Sequence, residues 1–128
     1  MGQPVVHFEI IGRDPAGLRD FYGALFAWQF DTSGPVPPVV SQAGQYGFVD
    51  QTTASHGAGI PGGVGGGTDH QPRALFYVGV PDVKAALDEA ERLGATRLWG
   101  PQQSPSGDLI VGQFIDPEGN VIGLANVV

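Results

Sequence analysis

The chain contains a strand-turn-helix pattern twice. Shifted by 68 residues, His7, Phe8, Glu9 and Ile10 fall on Leu75, Phe76, Tyr77 and Val78, and Asp14 falls on Asp82, Leu18 on Ala86, Tyr22 on Ala90 and Leu25 on Leu93. Each copy reads as an alternating strand, an Asp-capped turn and an amphipathic helix. A repeat of this length is a duplicated supersecondary unit, which constrains the whole fold.

In the first copy, residues 5–11 alternate as a strand, with Phe8 and Ile10 on one face and His7 and Glu9 on the other. Asp14 and Pro15 then open a helix. Asp caps the free N–H groups, and Pro fits the first turn, where its missing donor costs nothing. Leu18, Phe21, Tyr22, Leu25 and Phe26 form its apolar stripe. Strands are expected over 28–32, 46–50 and 59–64. A Pro/Gly-rich loop is expected over 33–45, a turn region over 52–58, and a joint between the copies at 65–68.

In the second copy a strand covers 73–80, and Asp82 caps a helix with Val83, Ala86, Leu87, Ala90 and Leu93 inward and Gly94 as its stop. Strands follow at 95–99, 109–115 and 121–126, with a loop at 101–107 and a tight turn at 116–119. Each copy is thus βαβββ. The expected fold class is α+β, with two βαβββ modules (about 4–66 and 72–127) forming an open, curved, barrel-like sheet with the helices outside, in a single domain over 1–128. His7, Glu9, Leu75 and Tyr77 would look into the resulting cleft, as would Gly123 on the last strand.

Composition narrows the function. A chain of 128 residues buries about two thirds of its unfolded surface, enough for a core without staples. It has no cysteine, which removes disulfides, thiolate metal sites and Cys nucleophiles. A net charge of -7 with six Lys plus Arg argues against nucleic acid. The same charge reads either as solubility or as a preference for neutral or cationic ligands. No apolar run is long enough to span a bilayer, the first residues carry no leader pattern, and a cytoplasmic protein is expected. Residues 57–62 match G-x-G-x-x-G, but Pro61 and the glycines after it forbid the helix that a dinucleotide fingerprint must open. No serine sits in a nucleophile elbow.

His7 and Glu9 share a strand face, so they read either as an acid/base or hydrogen-bonding pair aimed at a ligand or as a satisfied polar couple in the barrel floor. Tyr77 either contacts a ligand or fills the cleft. His56 and His70 lie in Gly-rich loops, where a solvated His is the plainer reading; a loop His joining His7 and Glu9 at a metal is the sharper one. Trp28, Trp99, Phe48 and Phe114 are core or cleft lining.

These motifs together resemble the vicinal-oxygen-chelate superfamily, which comprises glyoxalase I, bleomycin resistance proteins and extradiol dioxygenases. The likeness rests on His7-Phe8-Glu9-Ile10 with Asp14, Asp20-Phe21-Tyr22 and Leu25-Phe26-Ala27-Trp28. It also rests on Phe76-Tyr77-Val78 with Asp82-Val83 and Leu93-Gly94, and on Phe114 through Asn120. The chain looks most like the glyoxalase-like, lactoylglutathione-lyase-related subgroup. The resemblance implies a metal held by inward side chains of the first and last strands of each half. His7 matches the first such position, whereas Leu75, Gly123 and the run 59–66 stand where the others would be. One His does not hold a divalent cation firmly. The expectation is therefore a small-molecule-binding protein without the full metal site. It would bind a small organic ligand or antibiotic through His7, Glu9 and Tyr77, with no resident cofactor, and as a homodimer, as bleomycin resistance proteins do. The alternative is a glyoxalase-like lyase or isomerase using a metal at His7 or acid-base chemistry by Glu9 and His7.

Overall fold

The computed structural model describes residues 2–51 and 57–127. Within them the chain runs β1 (Val5–Gly12), α1 (Pro15–Phe26), β2 (Gly47–Val49), β3 (Gly62–Gly66), β4 (Arg73–Gly79), α2 (Val83–Arg92), β5 (Thr96–Gln103), β6 (Ile110–Ile115) and β7 (Val121–Ala125). The expected α+β class is the observed one. The chain divides into two compact units. One is His7–Ala74; the other starts at Leu75 and takes in the N-terminal residues up to Val6.

In the first unit the strand order is β2-β3-β1. β1 runs parallel to β3, with Phe8 opposite Gly62 and Glu9 opposite Gly63, and β2 runs antiparallel to β3, with Phe48 opposite Gly63. Asp14 caps α1 by accepting from the Gly17 N–H at 3.1 Å. The helix lies on the Phe8/Ile10/Gly12 face, because a Cβ on Gly12 would collide with Leu18 and one on Gly47 with Arg19 and Phe30. His7 and Glu9 therefore point away from α1.

Two expectations fail in this unit. The stretch 28–32 is not a strand. A lone bridge joins Asp31 to Phe48, and Trp28 is instead taken up by ring contacts with Phe8, Tyr22, Phe26 and Phe30. Aromatic packing outweighs the alternation there. The α1 stripe is also not fully buried, since Phe21, Leu25 and Phe26 are all more than half exposed. The helix turns Leu18, Arg19 and Tyr22 toward the strands, and this narrow contact rotates Phe21 and Leu25 outward. β3 begins at Gly62 and continues through Gly66, so two glycines of the expected joint are strand. A buried Ser41 ties the preceding loop to the end of β3. Its hydroxyl accepts from the Gly66 N–H at 2.9 Å, and the Gln42 N–H donates to the Gly66 carbonyl at 2.9 Å. Most of the turn expected at 52–58, including His56, lies outside the described residues.

In the second unit the order is β4-β7-β6-β5. Asp82 caps α2 by accepting from the Ala85 N–H at 3.0 Å, and Gly94 (φ 108°) supplies the left-handed turn that ends it. Val83 and Leu87 seal against Val80 and Leu124, with Val78, Ile110 and Phe114 around them. Leu93, expected inward, is the C-cap of α2 and is exposed, as is Phe76. The opposite side of the sheet carries a second apolar cluster of Leu75, Tyr77, Val111 and Ala125, flanked by Trp99, Leu109 and Val121. β5 runs to Gln103, so the first three residues of the expected loop are strand. Pro101 is tolerated because β5 is an outer strand of its unit and its register with β6 shifts between Trp99 and Gln102.

Candidate functional site

The site residues of the first unit are assembled by one row of the sheet. Glu9, Gly63 and Phe48 lie side by side on β1, β3 and β2, all on the face away from α1. Tyr46, two residues before Phe48, shares that face. A Cβ on Gly63 would overlap the Tyr46 ring, so the glycine opens the space into which the ring folds. From there the phenol reaches back across β3 to β1. Its hydroxyl donates to Glu9 Oε1 at 2.9 Å and lies 2.8 Å from His7 Nε2.

Glu9 and Tyr46 are each only 2 % exposed, whereas His7 and Phe48 are half-buried above them. The His7 ring stacks on Tyr46 at 6.3 Å and meets Phe48 edge-on at 6.2 Å. Burial pushes the His7 imidazole down from 6.5 to about 4, so it is neutral at physiological pH. A buried carboxylate, a phenol and a neutral imidazole thus form one hydrogen-bonded line with aromatic walls. Such a line can orient a ligand or pass a proton.

Tyr77 lies in the other unit. Its hydroxyl accepts from Gln113 Nε2 at 2.8 Å, and both residues are buried. Its ring covers Gly123, where a Cβ would strike it. Leu75 packs beside it in the apolar cluster. Of the residues expected at the site, the structure joins His7 to Glu9 and pairs Tyr77 with Gln113. Tyr46 and Gln113 were missed. The signal for Tyr46 was its i, i+2 spacing from Phe48 on a short strand; no local pattern marked Gln113. Among the four aromatics expected as core or lining, Phe48 stands beside His7 and Trp99 packs on the Tyr77 cluster.

The donors present do not fit the metal that the resemblance implies. Leu75 offers no donor. At Gly123 and Gly63 the space for a ligating side chain is filled by the rings of Tyr77 and Tyr46. His70 lies in a turn with its Nε2 3.3 Å from the Pro38 carbonyl oxygen. Among the described residues no three His, Cys, Asp or Glu side chains are grouped to hold an ion.

Lys84 and four of the arginines are committed elsewhere. Lys84 pairs with Asp88 at 2.8 Å, Arg97 with Asp88 and Glu91 at 2.6 and 2.9 Å, and Arg92 with Glu89. Arg13 donates to Gln71 and Arg19 to the Gln45 carbonyl. Among the described residues, no helix is long and apolar enough to cross a membrane.

The profile of the glyoxalase-like domain family matches residues 7–125. No curated protein sequence matches the chain. Among solved structures, the chain is similar to Streptomyces coelicolor methylmalonyl-CoA epimerase in complex with 2-nitronate-propionyl-CoA. The TM-score is 0.64 and the identity 15%, covering 96% of this chain and 93% of the other. A hypothetical protein from Bacillus halodurans C-125 superposes with a TM-score of 0.62 at 11% identity, covering 98% of this chain and 94% of the other. A chain described as an NAD-dependent benzaldehyde dehydrogenase from Legionella pneumophila gives a TM-score of 0.59 at 14% identity, covering 93% of this chain and 96% of the other. Identities this low speak for the fold alone.

Proposed function

The chain belongs to the glyoxalase-like domain family of the vicinal-oxygen-chelate superfamily, and from that premise we propose that it binds a small organic molecule, such as an antibiotic or secondary metabolite, without a resident metal. The observation that carries the proposal is the His7–Tyr46–Glu9 line on the face that α1 leaves uncovered, with Phe48 beside it. A mostly apolar surface with a few oriented polar groups is what a small organic ligand needs. His7 and Phe48, half-buried, are the contact groups; Glu9 and Tyr46 lie beneath and orient them. Tyr77, paired with Gln113, is proposed as a ligand contact of the second unit considered by itself.

Charge refines the ligand class. The epimerase is described with a CoA thioester analogue, but a CoA moiety carries several phosphate charges. This chain has a net charge of -7, and Lys84, Arg13, Arg19, Arg92 and Arg97 are engaged by acidic groups, an amide or a carbonyl. A neutral or cationic ligand suits it better. We place the protein in the cytoplasm and expect a homodimer, which light scattering on the purified protein tests.

The decisive experiment is a thermal-shift screen of tag-free protein against natural products, run beside a metal analysis. Ligands are expected to raise Tm in the wild type and to do so less in Glu9→Gln and His7→Ala. Stoichiometric Ni, Zn, Fe or Mn, or ligand responses untouched by both substitutions, would overturn the assignment.

One observation favours a second reading, a lyase or isomerase working by acid-base chemistry. His7 is neutral at physiological pH and linked through one hydroxyl to a carboxylate, an arrangement able to take up and return a proton. Following a bound ligand by NMR separates the two: a binding protein returns it unchanged, whereas an enzyme converts it in proportion to active protein.

A further inference from the structure

Phe48 has a neighbour on each flank, and the outer one is a glycine. The Phe48 backbone exchanges two hydrogen bonds with Asp31, at 2.8 and 2.9 Å. β3 holds the other edge of β2, and β1 lies beyond β3. Asp31 therefore borders Phe48 on the side opposite His7. The Asp31 carboxylate accepts from the Ser33 N–H at 2.9 Å and from the Ser33 hydroxyl at 2.6 Å, which turns the chain tightly after the bridge. The turn brings Gly34 against the phenyl ring. A Cβ at residue 34 would lie 2.8 Å from Cε2 and 3.1 Å from Cδ2 of Phe48, well inside ordinary carbon–carbon contact. On its inner flank the ring meets Tyr46 at 4.8 Å and His7 edge-on at 6.2 Å. Tyr46 is buried and fills the room over Gly63, so it does not give way.

The backbone does not demand a glycine at 34, because its φ lies outside the left-handed region. Gly44 in the same loop is the contrast: its φ is 75°, and nothing stands within 4 Å of a Cβ there. The room that residue 34 leaves is used by the ring. We propose that residue 34 is a specificity-determining position acting through Phe48: its missing Cβ seats the phenyl ring outward and holds open the gap between Phe48 and His7. A side chain at 34 drives the ring inward, and with Tyr46 fixed the ring closes on His7. Glycine thus admits wider molecules than alanine would. This consequence for ligands rests on the binding role proposed above; the seat of the ring does not.

The test is carbethoxylation by diethylpyrocarbonate, a small organic electrophile that must reach a neutral imidazole. It is read histidine by histidine by mass spectrometry on the ligand-free, full-length protein at neutral pH. His7 is expected to react in the wild type and several-fold more slowly in Gly34→Ala, with the rate at His70 unchanged. A merely destabilised protein would react faster at both. With Phe48→Leu the ring is gone, so adding Gly34→Ala leaves the His7 rate where Phe48→Leu set it. An unreactive His7 in the wild type overturns the proposal. So does a folded Gly34→Ala whose His7 rate is unchanged or raised, or an equal fall with Leu at position 48. If Gly34→Ala does not fold, the double variant with Phe48→Leu is expected to fold, and its failure also overturns the proposal. Natural-product responses that depend on His7 and Glu9 but ignore Gly34→Ala would keep the binding role and remove the specificity role. Rates that behave as expected would keep the ring's seat even if the thermal-shift screen failed.

Discussion

At the scale of single residues, His7 and Glu9 show how one side chain decides the state of others. The alternation of β1 put both on one face, and that much was legible in the sequence. Their coupling was not, because it runs through Tyr46, which lies 39 residues from His7 along the chain. Tyr46 reaches them only because Gly63 leaves room for its ring. The depressed imidazole has a consequence for stability. His7 titrates near 4 in the fold and near 6.5 when unfolded, so between these values the unfolded chain binds the extra proton. Neutral His7 thus contributes stability that is present above pH 6.5 and lost as the pH falls toward 4, by about 3 kcal/mol at most. Urea unfolding across this range should show the wild type losing more stability with acid than His7→Gln. Parallel curves for the two proteins would show that burial does not hold the imidazole neutral.

At the scale of elements, the two helices share a cap and a repeat position but differ in what they bury. α2 sets Val83 and Leu87 into a sealed cluster, and Leu87 is fully buried. α1 lies against a strand made largely of glycine, and leaves Phe21, Leu25 and Phe26 outside. Leu87→Ala should therefore cost about 2–5 kcal/mol, and Phe21→Ser should change stability by less than about 0.5 kcal/mol. Chemical denaturation of both variants checks this, and a large loss from Phe21→Ser would mean that the α1 stripe is covered in solution. Helix starts were readable because Asp14 and Asp82 act on N–H groups three residues away. The stretch 28–32 is not a strand because its alternation serves ring packing around Trp28, which includes a contact with Phe8 on β1.

At the scale of the whole molecule, charge is the property that most limits partners. Thirteen acidic side chains face six basic ones, and the basic groups on α2 are already paired with Asp88, Glu89 and Glu91. Free coenzyme A should leave Tm unchanged at moderate salt, read by scanning fluorimetry; a saturable rise would assign the chain a polyphosphate-binding surface that its charge argues against. The sequence by itself determined the α+β class, both helix starts and the shared face of His7 and Glu9. These follow from period, capping and short-range spacing, which act within a few residues. Only the tertiary structure decided that Tyr46 bridges the pair, that Tyr77 takes Gln113, and that tyrosine rings fill the space at Gly63 and Gly123. Each of these depends on which distant strands become neighbours, and neighbourhood across a sheet is set by pairing register, which no local pattern encodes.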